Sequence, residues 1–176
     1  MEERYRIQQL SLIFAKDKNN VLGKDNDIPW RSPHDFRWFR ALTINHTVIM
    51  GRKTWESLPE SVKPLINRVN YVISRNPDYV AEGAIVKTGL FDAVGDALQK
   101  NKRGLIFVIG GKSLLEEASN LASKAYVSTI GVNTPVDETC VMAPDLPEGI
   151  VEEIKTLFQG DDIHPSVVTE VIRFIN

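Results

Sequence analysis

A carboxylate at position 35 lies where it could bind a flat, nitrogen-rich ring. Asp35 follows Pro29 and Trp30 and precedes Phe36 and Phe39. A carboxylate beside buried aromatic side chains can accept paired hydrogen bonds from a ring N–H and an amino group. Burial would also raise the pKa of this carboxyl, which suits a site that favours a protonated substrate.

The same carboxylate has a second interpretation, which is helix capping. Asp35 lies three residues after Ser32, and Pro33 follows Ser32 directly. Ser-x-x-Asp with proline at the first helical position is typical of a helix N-terminus. Local sequence alone favours capping over ligand binding for Asp35.

Two strand-to-helix junctions share one construction, in which glycine is followed by basic and hydroxyl residues. One is Gly51-Arg52-Lys53-Thr54 and the other is Gly110-Gly111-Lys112-Ser113. Free backbone N–H groups at a helix N-terminus attract anions, and glycine permits close approach. Either junction alone is also explained by an ordinary solvated turn. Two on one sheet edge, with Arg75 nearby, suit a dinucleotide with a pyrophosphate and an extra phosphate, although the GxGxxG and Walker patterns are absent.

The hydrophobic pattern predicts alternating strands and helices. Predicted strands cover 7–15, 46–50, 68–74, 84–87, 104–110 and 124–130, and a closing antiparallel hairpin is expected around 151–158 and 166–175. Predicted helices cover 32–43, 52–58, 91–100 and 112–118. Residues 16–31 are predicted to form one long loop. This alternation indicates an α/β fold: a three-layer sandwich around a central, mostly parallel mixed sheet of about eight strands, with ligands beyond the strands' carboxyl ends.

Composition limits the classes of function. The chain has 176 residues, which fits a single domain with residues 1–6 as a polar overhang, and its formal net charge is −2. That balance argues against broad binding of nucleic acid or membrane surfaces, which needs a basic excess. Cys140 is the single cysteine, and no Cys/His cluster suggests a metal site. No apolar run near the start is long enough for a signal peptide or membrane span, so we expect a cytoplasmic protein.

These residues together identify a family resemblance. The chain resembles dihydrofolate reductase of the common chromosomal type, and the resemblance thins after about residue 131. The matching segments are 12–15 (LIFA), 21–23 (VLG), 28–30 (IPW), 35–39 (DFRWF), 48–57 (VIMGRKTWES) and 108–111 (VIGG). The stretch from Gly51 to Ser57 is highly specific. The resemblance reverses the local preference at Asp35 and makes a buried, substrate-binding carboxylate the expected reading.

The resemblance implies NADPH-dependent reduction of dihydrofolate to tetrahydrofolate by a monomer that has no metal. Asp35 would bind the pterin and promote protonation of its imine nitrogen, and Trp30 and Ile28 would assist catalysis. Further substrate-binding residues would be Ala15, Phe36, Phe39, Leu58, Leu65, Arg68 and Ser128. Cofactor-binding residues would be Ala15, Leu22, Gly51, Arg52, Lys53, Thr54, Ser74, Arg75, Ile109, Gly110, Gly111, Lys112, Ser113 and Leu114. In this family the Gly110–Gly111 bond is cis and the loop 16–31 acts as a lid.

Several positions depart from the family pattern. Leu115 replaces a tyrosine found in many relatives, Ser128 replaces a threonine, and Ile66-Asn67 replaces a Pro-Gly turn before Arg68. Asp137, in the divergent segment 132–150, is expected to contact the lid. Two alternatives stay open from sequence: a reductase of similar fold acting on a riboflavin-pathway pyrimidine, and a non-enzymatic ligand-binding or assembly protein.

Overall fold

Residues 5–175 are described by a computed structural model, and they form ten strands and four α-helices. The strands are β1 (Ile7–Asp17), β2 (Val21–Lys24), β3 (Thr47–Gly51), β4 (Val69–Ile73), β5 (Ile85–Lys87), β6 (Ile106–Gly110), β7 (Ala122–Ile130), β8 (Cys140–Met142), β9 (Gly149–Phe158) and β10 (Val167–Phe174). The helices are α1 (Pro33–Thr43), α2 (Arg52–Ser57), α3 (Leu90–Lys100) and α4 (Lys112–Ser119). Of these four helices, none is long and apolar enough to span a bilayer.

Eight strands form one sheet in the order β5-β4-β3-β6-β1-β7-β10-β9. Strands from β5 to β7 pair in parallel, and β10 pairs antiparallel with both β7 and β9. The mostly parallel sheet and its closing antiparallel hairpin confirm the predicted fold class. The parallel strands also bring their carboxyl ends to one edge, where the residues that follow each strand meet.

Alternating side chains divide the core into two apolar clusters, one on each face of the sheet. In β1, Leu12 and Phe14 join the cluster beneath α3 and α4, whereas Ile13 joins the cluster beneath α1 and α2. The same alternation occurs in β6, where Val108 and Phe107 belong to opposite clusters. Strands buried on both faces read as continuous apolar runs, which is why the central strands were visible in the sequence.

The segment 16–31 is not one loop, as the sequence predicted. Strand β1 continues to Asp17, and β2 pairs antiparallel with β8, so that Val21 lies opposite Met142. A four-residue strand whose partner lies more than a hundred residues away leaves no periodic signal of its own, and only the tertiary pairing reveals it. A short 3₁₀ helix at Glu60–Val62 was also absent from the prediction.

The predicted polar overhang falls partly outside the described residues, which begin at Tyr5. Arg6 does not project freely: its guanidinium donates to the carbonyl oxygens of Ser119 at 2.8 Å and Ala122 at 2.9 Å. The overhang prediction is therefore wrong for Arg6, because an arginine side chain is long enough to satisfy carbonyls where α4 ends and β7 begins.

Asp17 organises the start of the segment that follows β1. Its buried carboxylate accepts backbone N–H bonds from Asn19 and Val21 at 2.9 Å and from Thr134 at 2.8 Å. Burial alone would raise the pKa of Asp17, but the bonds from Thr134, Val21 and Asn19 outweigh it and lower that pKa. The carboxylate thus ties β2 and the segment before β8 to the end of β1.

We predict that Asp17→Ala destabilises the protein by about 3 kcal/mol, because the two buried N–H groups of Val21 and Thr134 and the part-buried N–H of Asn19 lose their acceptor. Urea unfolding at neutral pH measures this change. The matched control is Lys18→Ala, an exposed neighbour that is expected to alter stability by less than about 0.5 kcal/mol. Equal stabilities for the two variants would contradict the role given to Asp17.

Candidate active site

The first turn of α1 directs Asp35 toward the sheet. Ser32 is the N-cap residue, and its hydroxyl accepts the backbone N–H of Asp35 at 3.2 Å. Pro33 begins the helix, where a missing N–H costs nothing. Because Ser32 supplies the cap, the Asp35 carboxylate is free for another partner, and the capping interpretation of its side chain is wrong.

That partner is Ser128, on β7. Ser128 is buried, and its hydroxyl lies close enough to the Asp35 carboxylate to lower the pKa of that carboxyl. Ser128 pairs with Ala15 of β1 in the sheet register, so both side chains lie on the face covered by α1. The structure thus brings together three of the predicted site residues from three separate elements.

The burial of Asp35 changes its ionisation. Removal from water raises the pKa of the carboxyl above its ordinary value of 3.8, and the hydrogen bond with Ser128 opposes this rise without cancelling it. A carboxyl with a raised pKa next to a hydroxyl is a group that can accept or release a proton closer to neutral pH than a surface aspartate can.

Apolar side chains extend from this carboxylate. Ile28 and Phe36 leave 51% and 65% of their surfaces exposed, and Trp30 is half-buried. Large apolar side chains left open next to a buried polar group offer a surface for a ligand. The loop therefore leaves Ile28 largely open to solvent instead of packing it against α1.

The apolar cluster beneath α1 and α2 forms a second side of the candidate site. It contains four of the predicted substrate- or cofactor-binding residues, together with Ile13 of β1. The four are Phe39, Leu58, Leu65 and Ile109. Trp55 is buried in the same cluster and so belongs to the core.

Arg68 lies beside Phe39 of this cluster. Its guanidinium donates to the Thr43 hydroxyl at 3.1 Å and to the Ile66 carbonyl at 3.0 Å, and it lies 5.8 Å from the centre of the Phe39 ring. Burial and the nearby Arg40 lower the pKa of Arg68. Asn67 adopts a φ of 56°, a conformation that asparagine tolerates, so the Ile66-Asn67 turn presents Arg68 without a glycine.

The two glycine junctions meet at the carboxyl ends of the adjacent strands β3 and β6. A Cβ added to Gly51 would lie 3.7 Å from the Gly111 nitrogen, and one added to Gly110 would lie 3.4 Å from Thr54 Oγ1. Gly110 has a φ of 142°, and the Gly110–Gly111 bond is cis, as the resemblance implied. The predicted arrangement of both junctions on one edge of the sheet is therefore confirmed.

Positive side chains surround these junctions. Arg52 pairs with Glu56 at 2.7 Å and lies 4.3 Å from the centre of the Tyr79 ring, and Lys112 lies 3.9 Å from Glu116. Lys53 and Arg75 are exposed. These contacts are solvent-accessible, so the cations can turn toward an anion at little cost.

The remaining predicted cofactor residues have varied surroundings. The Ser74 hydroxyl accepts the Asn76 N–H at 3.2 Å, and Ser113 is exposed in the first turn of α4. Leu22 and Leu114 pack in the cluster beneath α3 and α4, on the opposite face from Asp35. Leu115 is fully buried in that same cluster, so at this position an apolar core contact replaces the hydroxyl of the relatives.

Asp137 contacts the segment predicted to act as a lid. Lys24, at the end of β2, pairs with its carboxylate at 2.8 Å, and Thr139 donates its backbone N–H at 2.9 Å. The bonds from Lys24 and Thr139 hold the pKa of Asp137 well below its usual range. The predicted lid contact is confirmed, and Lys24 is a partner that sequence reasoning did not identify.

Comparison with known proteins agrees with this geometry. The family model described as dihydrofolate reductase matches residues 9–162. Dihydrofolate reductase of Mycobacterium tuberculosis is 37% identical over 139 residues, covering 79% of this chain and 82% of the relative. The enzyme of Bacillus subtilis is 39% identical over 121 residues, covering 69% and 68%.

A solved structure resembles the whole chain. Dihydrofolate reductase from Enterococcus faecalis, complexed with NADP(H) and RAB-propyl, superposes with a TM-score of 0.80 at 26% identity. The match covers 97% of this chain and 99% of that one.

Asp35→Asn is predicted to stabilise the protein at neutral pH, because it removes a buried carboxylate whose ionised form is disfavoured. The folded-state pKa lies above the ordinary 3.8, so the cost is full at high pH and fades as the pH falls through the folded pKa. Thermal unfolding of both proteins between pH 8 and pH 4 tests this. A stability difference that grows toward acid pH would contradict the burial of an ionisable Asp35.

Proposed function

Because the chain belongs to the dihydrofolate reductase family, we infer that it catalyses the NADPH-dependent reduction of 7,8-dihydrofolate to 5,6,7,8-tetrahydrofolate. The observation that carries this inference is the half-buried Asp35 carboxylate, which lies near the buried Ser128 on the face that α1 covers. An anchor of this kind fits a ring that offers an N–H and an amino group side by side.

Asp35 performs two tasks in this account. Its carboxylate oxygens accept hydrogen bonds from the pterin ring, which fixes the orientation of the substrate. Its negative charge, placed in a site of low dielectric, also stabilises a positive charge on that ring and so favours protonation of the imine nitrogen. Trp30 and Ile28 cover the ring and limit access of water, and Ala15, Phe36, Phe39, Leu58 and Leu65 contact its apolar surface.

Arg68 binds the acidic end of the substrate. A guanidinium meets a carboxylate through two parallel hydrogen bonds, and partial burial strengthens them. Phe39 and Thr43 hold the Arg68 side chain in place, which lowers the entropy lost on binding.

The residues at the glycine junctions fit NADPH. A Cβ added to Gly110 would lie 3.4 Å from Thr54 Oγ1. Because glycine has no Cβ, the narrow space between this backbone and Thr54 stays open for a flat ring or a phosphate. NADPH, when bound, supplies the hydride that the substrate's imine carbon receives. Ile109, Gly110 and Ala15 would lie toward the nicotinamide. The pyrophosphate would be held by Gly51, Thr54, Gly111, Lys112, Ser113 and Leu114.

The positive side chains select the phosphorylated cofactor. Arg52, Lys53 and Arg75, together with the Ser74 hydroxyl, would meet the extra phosphate on the adenosine ribose. A phosphate that carries up to two charges gains more from these cations than a ribose hydroxyl does, so NADPH is preferred over NADH.

The lid and its Asp137 contact control access to the site. The Lys24–Asp137 ion pair and the β2–β8 pairing hold the segment 16–31 in place. We further propose that the chain works as a cytoplasmic monomer, without nucleic-acid or membrane partners, since a net charge of −2 offers no general basic surface. Light scattering of the purified protein tests the monomer.

Asp35→Asn is predicted to lower turnover at pH 7 by about 100-fold or more, within the range for loss of an acid–base group. Turnover should recover partly at acid pH, where more substrate is already protonated, and NADPH binding should be retained. Steady-state rates from pH 5 to pH 9 and a fluorescence titration with NADPH measure both. Wild-type turnover at neutral pH would contradict the role of Asp35.

Replacing Arg52 and Arg75 by alanine is predicted to lower kcat/KM for NADPH by about 10- to 100-fold per residue, the value of one charge-assisted phosphate contact. The effect on NADH should stay below about threefold, because NADH lacks that phosphate. Lys102→Ala, in the turn before β6, is the control and should leave both cofactors unaffected. Equal losses with NADPH and NADH would refute the assignment.

A further inference from the structure

Four paired residues form a row across the sheet beneath α1. Ala15 of β1 pairs with Ser128 of β7, Ser128 pairs with Thr169 of β10, and Thr169 pairs with Lys155 of β9. Residues directly opposite each other on neighbouring strands point to the same face. Thr169 therefore shares the face of Ser128, whose hydroxyl lies close enough to the Asp35 carboxylate to lower its pKa.

Helix α1 crosses this row and touches it on both sides of Thr169. Asp35 meets Ser128, and the ring of Trp38 lies 5.5 Å from the Lys155 ammonium. Asp35 and Trp38 are three residues apart and so lie on the same face of the helix. Thr169, between Ser128 and Lys155, is thereby placed below the turn of α1 that carries both side chains.

Two buried polar atoms in this layer have no hydrogen-bond partner within residues 5–175. They are Thr169 Oγ1, on a residue that is 2% exposed, and Trp38 Nε1. A buried hydroxyl without a partner costs free energy, and valine has nearly the same shape without that cost. A threonine at this point therefore indicates a polar role.

We propose that Thr169 is a positioning residue that acts on Asp35 through Ser128. The Thr169 hydroxyl donates to the Ser128 oxygen through one bridging water, and so turns the Ser128 proton toward the carboxylate. The donors then run in one direction, from Thr169 through the water and Ser128 to Asp35.

This arrangement favours the ionised carboxylate. A hydroxyl that itself accepts a hydrogen bond becomes a better donor, because chains of hydrogen bonds polarise one another. Removing the Thr169 hydroxyl weakens the bond from Ser128 and raises the pKa of Asp35 further. The proposal rests on the inferred reductase activity for its kinetic consequence, but the ionisation of Asp35 can be measured without turnover.

The experiment compares Thr169→Val and Thr169→Ser in the full chain. Carboxyl carbon-13 NMR, with the Asp35 signal assigned by its loss in Asp35→Asn, follows the titration of this group directly. We expect Thr169→Val to raise the Asp35 midpoint by about 0.3 to 0.5 pH unit, a fraction of the shift that one full hydrogen bond produces. Thr169→Ser, which keeps the hydroxyl, should titrate as the wild type does.

The pH profile of kcat provides the second readout. In Thr169→Val the acid limb of the kcat profile, where Asp35 loses its negative charge, should move upward in pH by the same amount as the NMR midpoint, while KM for NADPH stays unchanged. Absence of turnover in every variant, with the NMR shift intact, would refute the reductase function and leave the role of Thr169 standing.

A double-mutant cycle tests whether the effect passes through Ser128. In a Ser128→Ala background, Thr169→Val should produce no further shift of the Asp35 midpoint. Thr156→Val, an exposed position on β9, is the control and should shift nothing. Thr169→Ala replaces the valine variant if that protein unfolds. An unchanged midpoint in the hydroxyl-free variants, or an equal shift with and without Ser128, would overturn the proposal.

Discussion

The partial burial of the Asp35 carboxylate near the Ser128 hydroxyl is the feature on which the site depends. A charged group is disfavoured away from water, so its presence lowers the stability of the folded protein at neutral pH. The rest of the core offsets that cost, with apolar clusters on both faces of the sheet. The protein keeps the carboxylate because a ligand with matching donors recovers the lost hydrogen bonds on binding.

The parallel sheet explains how distant parts of the sequence reach this carboxylate. Strands β1, β3 and β6 all end at the same edge, so Ala15, Gly51 and Gly110 arrive there from three regions of the chain. The position of β3 next to β6 then brings both glycine junctions within van der Waals distance. The proposed anion site and the proposed ring site would thus be adjacent, which is the arrangement that transfer between a dinucleotide and a second ring requires.

The sequence alone was enough to predict an element of the fold where the signals for that element were local. Central strands such as 104–110 are continuous apolar runs, and Ser32 with Pro33 marks the start of α1. The sequence could not decide whether the Asp35 side chain caps the helix, because capping and ligand binding use the same residue types. It gave no sign of β2 and β8, whose stability comes from pairing across more than a hundred residues. Thr169 required the strand register, since a threonine in a β-rich segment is ordinary until its neighbours are known.

The most direct measurement is a crystal structure of the protein with NADPH and a folate analogue. The account predicts that the Asp35 carboxylate contacts the amino group and the adjacent ring nitrogen of the pteridine, with the nicotinamide stacked alongside near Gly110. A pteridine bound elsewhere, with Asp35 making no contact to it, would contradict the central claim.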